Sequence, residues 1–187
     1  MKQSNINEQQ NPTTLFDSKK ISLLLFNVGG QSYALPIERV VRIIEMVTVI
    51  QVSGVSTLIR GIINFRGDPV LVIDMRQRLG FAEQDYGLHT PIMLVDLPDS
   101  NHLVGLIVDE VERVQHISTA DVDTSIVDQQ QSATDFAMPY FAGIVNIDYR
   151  MIILLDLSAV LDFVHHPDIS NVVETWPPAS EYKPLLD

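Results

Sequence analysis

The segment G-I-I-N-F-R-G-D-P-V-L-V-I-D-M (61–75) returns later in the chain as G-I-V-N-I-D-Y-R-M-I-I-L-L-D-L (143–157). The match runs without a gap from 61–81 onto 143–163, with identities at Gly61/Gly143, Ile62/Ile144, Asn64/Asn146, Asp74/Asp156, Leu79/Leu161 and Phe81/Phe163. A second match, A-L-P-I-E-R-V-V-R-I (34–43) onto G-L-I-V-D-E-V-E-R-V (105–114), keeps a different spacing. What repeats is therefore a plan: a hairpin, a helical turn carrying an acidic residue (Glu38 or Asp109), a strand, a variable loop, a second hairpin and a short helix. A unit of about 70 residues has a marginal core of its own, so two such copies must bury surface against each other. About five short strands per copy suit a small barrel. The expected fold is all-β, two similar β-barrels packed about a pseudo-twofold axis.

The rest of the chain fits this frame. Short runs of Val, Ile and Leu alternate with Gly, Pro, Asp and Asn, which places strands near 22–28, 32–36, 42–47, 61–66, 69–73, 90–97, 102–108, 114–117, 141–147 and 151–155. Residues 1–20 are rich in Gln, Asn and Thr and read as a disordered N-terminal tail; 21–166 is the folded unit. From 167 to 187, Pro177, Pro178 and Pro184 mark a second tail in which Val172-Val173 and Trp176 offer something to dock. With 187 residues and 46% hydrophobic composition there is material for a core, and a formal charge of −12 spread along the chain argues against a nucleic-acid partner. There is no cysteine, hence no disulfide or thiolate metal site, and no apolar run approaches the roughly 18 residues of a membrane span. A cytoplasmic location is expected.

Residue by residue, the catalytic reading is weak. Asp74 and Asp156 each end a strand and precede a helical pattern, M-R-Q-R-L or L-S-A-V-L, which makes them N-caps in preference to paired catalytic carboxylates. Gly80 suits the position after the first helix; Gly29-Gly30 and Gly67 suit hairpin turns with positive φ. The R-G-D at 66–68 is a tight turn, with Pro69 starting the next strand. His89, His102, His116, His165 and His166 are not at metal-ligand spacing, and no phosphate-cradling loop, nucleophile elbow or cysteine nucleophile is present. No metal and no cofactor is expected, and the chain reads as a binding module, not an enzyme.

The stretch I-R-G-I-I-N-F-R-G-D-P-V-L-V-I-D-M-R-Q-R-L-G resembles the signature of the CheW-like family of bacterial chemotaxis coupling proteins, roughly G-[VI]-x-N-[LF]-R-G-x-x-[VI]-P-V-[VI]-D-L-[RK]. V-G-L-I-V-D-E-V-E-R-V (104–114) and the Gly143–Leu157 segment support it, and the likeness covers about residues 21–163. The resemblance implies two pseudo-symmetric five-stranded SH3-like β-barrel subdomains with short helices. It implies a non-catalytic adaptor that couples transmembrane chemoreceptors to a histidine autokinase, in the cytoplasm beside receptor arrays. The implied partners are the receptor's cytoplasmic helical hairpin tip and the kinase's CheW-like regulatory domain. A free-standing regulatory module of a type IV pilus or surface-sensing pathway is the alternative.

By motif position, the resemblance implies receptor-binding residues at Val40, Gly61, Asn64, Arg66, Gly105, Val111 and Val114. For Val40, Val111 and Val114, ordinary core packing is an equal reading. Arg66 stands at the edge of a turn, where the competing role is to brace that turn through a nearby carboxylate. Two positions depart from the family pattern. Arg42 stands where Glu is common, leaving Glu45 or Glu38 to pair with Arg66, and S-T-A-D-V-D with Asp121 and Asp123 replaces a segment that is often basic.

Overall fold

The computed structural model describes residues 19–52, 56–97, 102–125 and 140–165. The tails, with Val172-Val173 and Trp176, lie outside these residues, as does His166. Two hairpins open the two copies: β1 (Lys20–Val28) with β2 (Gln31–Pro36), and β6 (Pro91–Asp96) with β7 (Leu103–Ile107). A single strand follows each, β3 (Val40–Glu45) and β8 (Glu110–Ser118). The second hairpins are β4 (Ile59–Phe65) with β5 (Asp68–Asp74), and β10 (Phe141–Ile147) with β11 (Arg150–Leu155). Each is followed by a four-residue helix, α1 (Met75–Arg78) or α2 (Leu157–Val160). A two-residue strand, β9 (Val122–Asp123), completes the set. The order of elements is the repeated plan, except that the turn expected at Asp109 is a bend, whereas its counterpart Ile37–Arg39 is a 3-10 turn.

The strands form two sheets, in the orders β8-β1-β2-β11-β10-β9 and β3-β6-β7-β5-β4. Neither sheet is one copy. The six-stranded sheet takes its first hairpin from copy one and its remaining strands from copy two, and the five-stranded sheet does the reverse. The join in each is a parallel pairing: Tyr33↔Ile153 and Ala34↔Leu154 in one, Leu71↔Val104 and Val72↔Gly105 in the other. These registers superpose under the two spacings read from the sequence, as do the bulges at Ile59/Gly61 and Phe141/Gly143.

Alternation along the strands explains the layers. In β5 and β6, Leu71, Ile73, Met93 and Val95 point into a core shared by the two sheets, while Val70, Val72, Ile92 and Leu94 point into a second core belonging to the five-stranded sheet. In β1 and β2, Leu24, Phe26, Tyr33 and Leu35 enter the shared core and Leu23, Leu25 and Ala34 enter a third. Strands covered on both faces need apolar residues at consecutive positions, which is why these segments read as unbroken aliphatic runs.

The third core is lined by residues of the six-stranded sheet alone, so that sheet curls over itself. It does not close. The expectation of two five-stranded barrels is corrected here: the sheets have six and five strands and keep open edges, β8 and β9 in one, β3 and β4 in the other. In the five-stranded sheet the chain leaves the ladder after Glu45 and rejoins only at Ile50, through a single bridge to Ile62. In the six-stranded sheet the turn Thr119–Asp121 breaks the path in the same place, and only β9 pairs beyond it. Closure needs a continuous stagger of hydrogen bonds from first strand to last, and both bends interrupt it.

Because each sheet is assembled from both copies, neither copy can fold by itself. A single cooperative transition is expected in calorimetry, and the fragments 1–88 and 89–187 are expected to be unfolded when separate, with a folded complex only on mixing. Two well-separated transitions, or an independently folded fragment, would contradict this.

Candidate functional site

Three two-residue turns carry positive φ at both central positions: Gly29-Gly30, Arg66-Gly67 and Asp148-Tyr149. The last two are the crowns of the equivalent hairpins β4–β5 and β10–β11. Such turns match the strand twist but suit Gly, Asn and Asp, so Arg66 (φ 58°) and Tyr149 (φ 61°) are held where few side chains rest comfortably. The first crown is braced from within, because the Asn64 side-chain oxygen accepts the Gly67 N–H at 2.8 Å. The second is braced by charge: Arg113 donates to Asp148 at 2.5 Å, and Arg150 grips Glu112 at 2.7 and 3.1 Å while also donating to the Ser32 hydroxyl. The Arg150 guanidinium holds the Glu112 carboxyl below its ordinary range.

Arg66 makes no ion pair among the described residues. Its guanidinium lies 5.4 Å from the centre of the Phe65 ring and is exposed. Beside it is a depression of about 550 Å³ lined by Phe65, Arg66, Asp68, Pro69, His102 and Leu103. Neither carboxylate considered as its partner is engaged with it. Glu45 pairs with His89 at 2.9 Å, and Glu38 is exposed and makes no side-chain contact of this kind.

The other residues singled out from the sequence are placed as follows. Gly61 and Gly105 lie at one level of the five-stranded sheet with Val72 between them, both buried. At Gly61 the backbone has φ 147° and a Cβ would stand 2.2 Å from the Ile50 carbonyl oxygen, so the bridge that partly covers the β4 edge requires glycine. At Gly105 a Cβ would meet Ile92 at 2.9 Å. Val40 and Val111 begin the two strands that cross between the sheets and are half-buried against the shared core. Val114 is 44% exposed on the edge strand β8. The structure thus places Asn64 with Arg66 in one crown and Gly61 level with Gly105, whereas Val111 and Val114 share β8 but differ in setting, the first against the shared core and the second exposed.

Sequence reading missed an apolar edge. Val41, Ile43, Val47 and Ile50 are exposed along β3 and the segment after it. The signal was available: V-V-R-I-I-E has apolar residues on both faces, although an edge strand over one core needs only one.

Near the helices, chemistry-bearing side chains are spent on structure. The Asp74 and Asp156 carboxylates each accept two backbone N–H bonds as N-caps, Gly80 (φ 81°) follows the first helix, and the buried Asp74 also accepts the Tyr86 hydroxyl. Burial, and next the Asp74 carboxylate, raise the Tyr86 phenol above its ordinary range. Asp121 completes a capping box with Ser118, and Asp123 accepts the Ser125 N–H at 2.9 Å. No group of three or more His, Asp or Glu residues is positioned to hold a metal among the described residues. No helix there is long and apolar enough to cross a membrane.

The model of the CheW-like domain family matches residues 22–165. The chain is 32% identical over 140 residues to the chemotaxis protein CheW of Bacillus subtilis (strain 168), covering 75% of this chain and 86% of that protein. It is 26% identical over 152 residues to the chemotaxis protein CheW of Klebsiella aerogenes, covering 81% and 88%. The crystal structure of the scaffolding protein TtCheW from Thermoanaerobacter tengcongensis superposes with a TM-score of 0.66 at 25% identity, over 77% of this chain and 94% of that one.

The second crown gives a pH-dependent expectation. With its folded pKa depressed below 4.5, Glu112 stabilises the fold above that pH, and the contribution is lost as pH falls through the folded value. The stability difference between the parent and Arg150→Ala is expected to be small, to be constant from pH 8 to about 5, and to vanish in more acid solution. Urea titrations at a series of pH values check it; a difference that persists at pH 2 would assign the loss to packing.

Proposed function

The chain belongs to the CheW-like family, and from that premise we infer that it is a non-catalytic adaptor coupling chemoreceptors to a histidine kinase in bacterial chemosensory signalling. The family match spans nearly all the described residues. Its work is to hold two proteins in a fixed relation, which asks for surfaces and not for reactive groups. The receptor's helical hairpin tip is an amphipathic helical ligand, and such ligands are taken into apolar grooves with a polar rim. Exposed aliphatic residues on the edge strands β3 and β8 are suited to it. The second partner is the kinase's own CheW-like regulatory domain, met in the cytoplasm at the receptor array.

The observation that carries this reading is the contrast between the crowns. One is closed by ion pairs within the molecule; the other presents Arg66, permanently charged and without an ion pair among the described residues, over a depression. A guanidinium offers five donors in a rigid fork, and arginine is enriched among residues that dominate binding energy. Within the receptor surface, Arg66 and Val114 touch the partner, Val40 and Val111 back it from the shared core, and Asn64, Gly61 and Gly105 hold the hairpin in shape.

Arg66→Ala is expected to weaken binding of a purified receptor tip fragment by about 2 kcal/mol in calorimetric titration. Its melting temperature should be nearly unchanged. Arg66→Asn suits the left-handed turn better and should be at least as stable as the parent, yet bind as poorly as Arg66→Ala. Arg150→Ala should bind the fragment like the parent. Equal losses from Arg66→Ala and Arg150→Ala, or a fall in melting temperature with intact binding, would make Arg66 structural.

A further inference from the structure

The two helices that follow the repeated hairpins occupy equivalent places but differ in chemistry. At the positions where α1 has Arg76 and Arg78, α2 has Ser158 and Val160. Both arginines leave the five-stranded sheet's helix and grip parts of the six-stranded sheet. Arg76 donates twice to the Asp109 carboxylate, at 2.6 and 2.7 Å. Asp109 stands where the chain crosses from β7 to β8, and it is docked on the β1–β2 hairpin by its own N–H to the Asn27 carbonyl (2.9 Å) and by accepting the Gly29 N–H (2.7 Å). Phe81, just after α1, fills the space where a Gly29 Cβ would be. Arg78 reaches the other contact point: it donates to the carbonyls of Val160 (2.8 Å) and Ala159 (3.1 Å) at the end of α2 and to Asp162 (2.5 Å), with the Tyr140 and Phe163 rings 4.4 and 4.6 Å from its guanidinium carbon. Its side chain is only 9% exposed.

The equivalent crossover, from β2 to β3, has no such tie across the joint among the described residues: Arg39 donates to the Asp96 carbonyl at 3.5 Å, which is a contact to the five-stranded sheet it is entering. Glu38, the counterpart of Asp109, is exposed and without an ion pair among the described residues, and the residue of α2 that corresponds to Arg76 is Ser158, which has no charge to offer it. Apolar packing holds both sides of the joint, but packing tolerates small sliding, whereas a bidentate charge-assisted pair and a guanidinium fitted to helix carbonyls fix distance and direction. The joint is therefore pinned on one side.

Building on the adaptor reading, we propose that Arg76 and Arg78 are positioning residues that lock the angle between the two sheets, and that relaying receptor state to the kinase depends on this lock. They touch neither partner. β8, which follows directly on Asp109, is thereby held, while β3 starts from a crossover with no such tie to the other sheet; an adaptor whose receptor surface draws on both edges needs the angle between them set in advance, or the receptor's shift is absorbed at the joint.

The absence of cysteine makes a direct test clean. Spin labels at Leu88→Cys and Tyr149→Cys, both exposed, report across the joint from one sheet to the other. The parent is expected to give one narrow distance distribution, Arg76→Gln and Arg78→Gln each a clearly broadened one, and Glu38→Gln, which changes the exposed counterpart of Asp109, the parent's. Arg76→Lys, which keeps the charge and loses the fork, should fall between, and it carries the test if either Gln variant fails to fold. In reconstituted receptor membranes with the purified kinase, Arg76→Gln is expected to bind the receptor tip fragment with the parent's affinity while losing most receptor control of kinase phosphorylation. Unchanged label distances, or full control by Arg76→Gln, overturn the proposal. If the parent itself fails to bind the receptor fragment, the adaptor reading falls, and the label distances alone then decide whether the arginines pin the joint.

Discussion

Two parallel pairings hold the architecture together: β2 beside β11 and β5 beside β7. Parallel neighbours cannot be joined by a hairpin, so the chain must leave the sheet and come back. Between β5 and β7 it passes over α1 and returns through β6, whereas between β2 and β11 it enters the other sheet and comes back. β2 passes through Ile37–Arg39 into β3, and β7 passes through Asp109 into β8. The two crossings interlace the copies, and the faces brought together by them form the shared core around Phe26, Leu35, Ile73, Met93 and Leu106, each essentially inaccessible to water. Removing the β5–β7 pairing would leave β4–β5 as a two-stranded hairpin, which is not stable in water by itself, and removing the β2–β11 pairing would split the six-stranded sheet into two three-stranded pieces.

On this symmetric frame the charged residues are placed without symmetry. What the copies share is apolar alternation, bulges and N-cap aspartates, all of which serve packing. What they do not share is Arg66 against Asp148, Arg76 against Ser158, Arg78 against Val160 and Asp109 against Glu38. Volume and hydrophobicity determine that the sheets pack, while directional contacts select one arrangement among those that packing allows. A duplicated fold used by an adaptor has reason to break its symmetry in just this way, because its two partners differ.

Much of this was legible in the chain. The repeat and its two spacings give the order of elements, and once one parallel join is known they give the other, since Leu71↔Val104 and Ile153↔Tyr33 are the same pair in two copies. The caps at Asp74 and Asp156 were readable because a cap is a local event, settled within three residues. Closure was not. An open curled sheet and a barrel have the same strands and the same alternation, and they differ by whether the ladder survives the bends after Glu45 and at Thr119–Asp121. The exchange of hairpins was hidden for a related reason, since pairing within a copy and pairing between copies satisfy the pattern equally. Nothing in the sequence singles out Arg76, because its partner, Asp109, lies 33 positions away and meets it only through the fold. Of the receptor-binding residues taken from the family motif, the two glycines are explained by close approach of the Ile50 carbonyl and the Ile92 side chain, contacts that no local sequence pattern announces.

The crowns show where stability has been given up. Positive φ at a non-glycine residue costs on the order of 1 kcal/mol, and such conformations persist where surroundings over-determine them. At the second crown the surroundings are visible: Arg113 holds Asp148, and Arg150, held by Glu112 and Ser32, follows immediately, so Asp148 and Tyr149 have no freedom to relax. At the first crown, Asn64 and Gly67 suffice to make the turn, and neither needs arginine between them. Asn or Gly at position 66 would adopt the same backbone with less strain. Among the described residues Arg66 adds no ion pair in return, and its contact with the Phe65 ring is weak at such a surface. A strained residue that the fold does not require is explained by something outside the fold, and for a charged side chain over an open depression the physical candidate is a partner that brings acceptors to it.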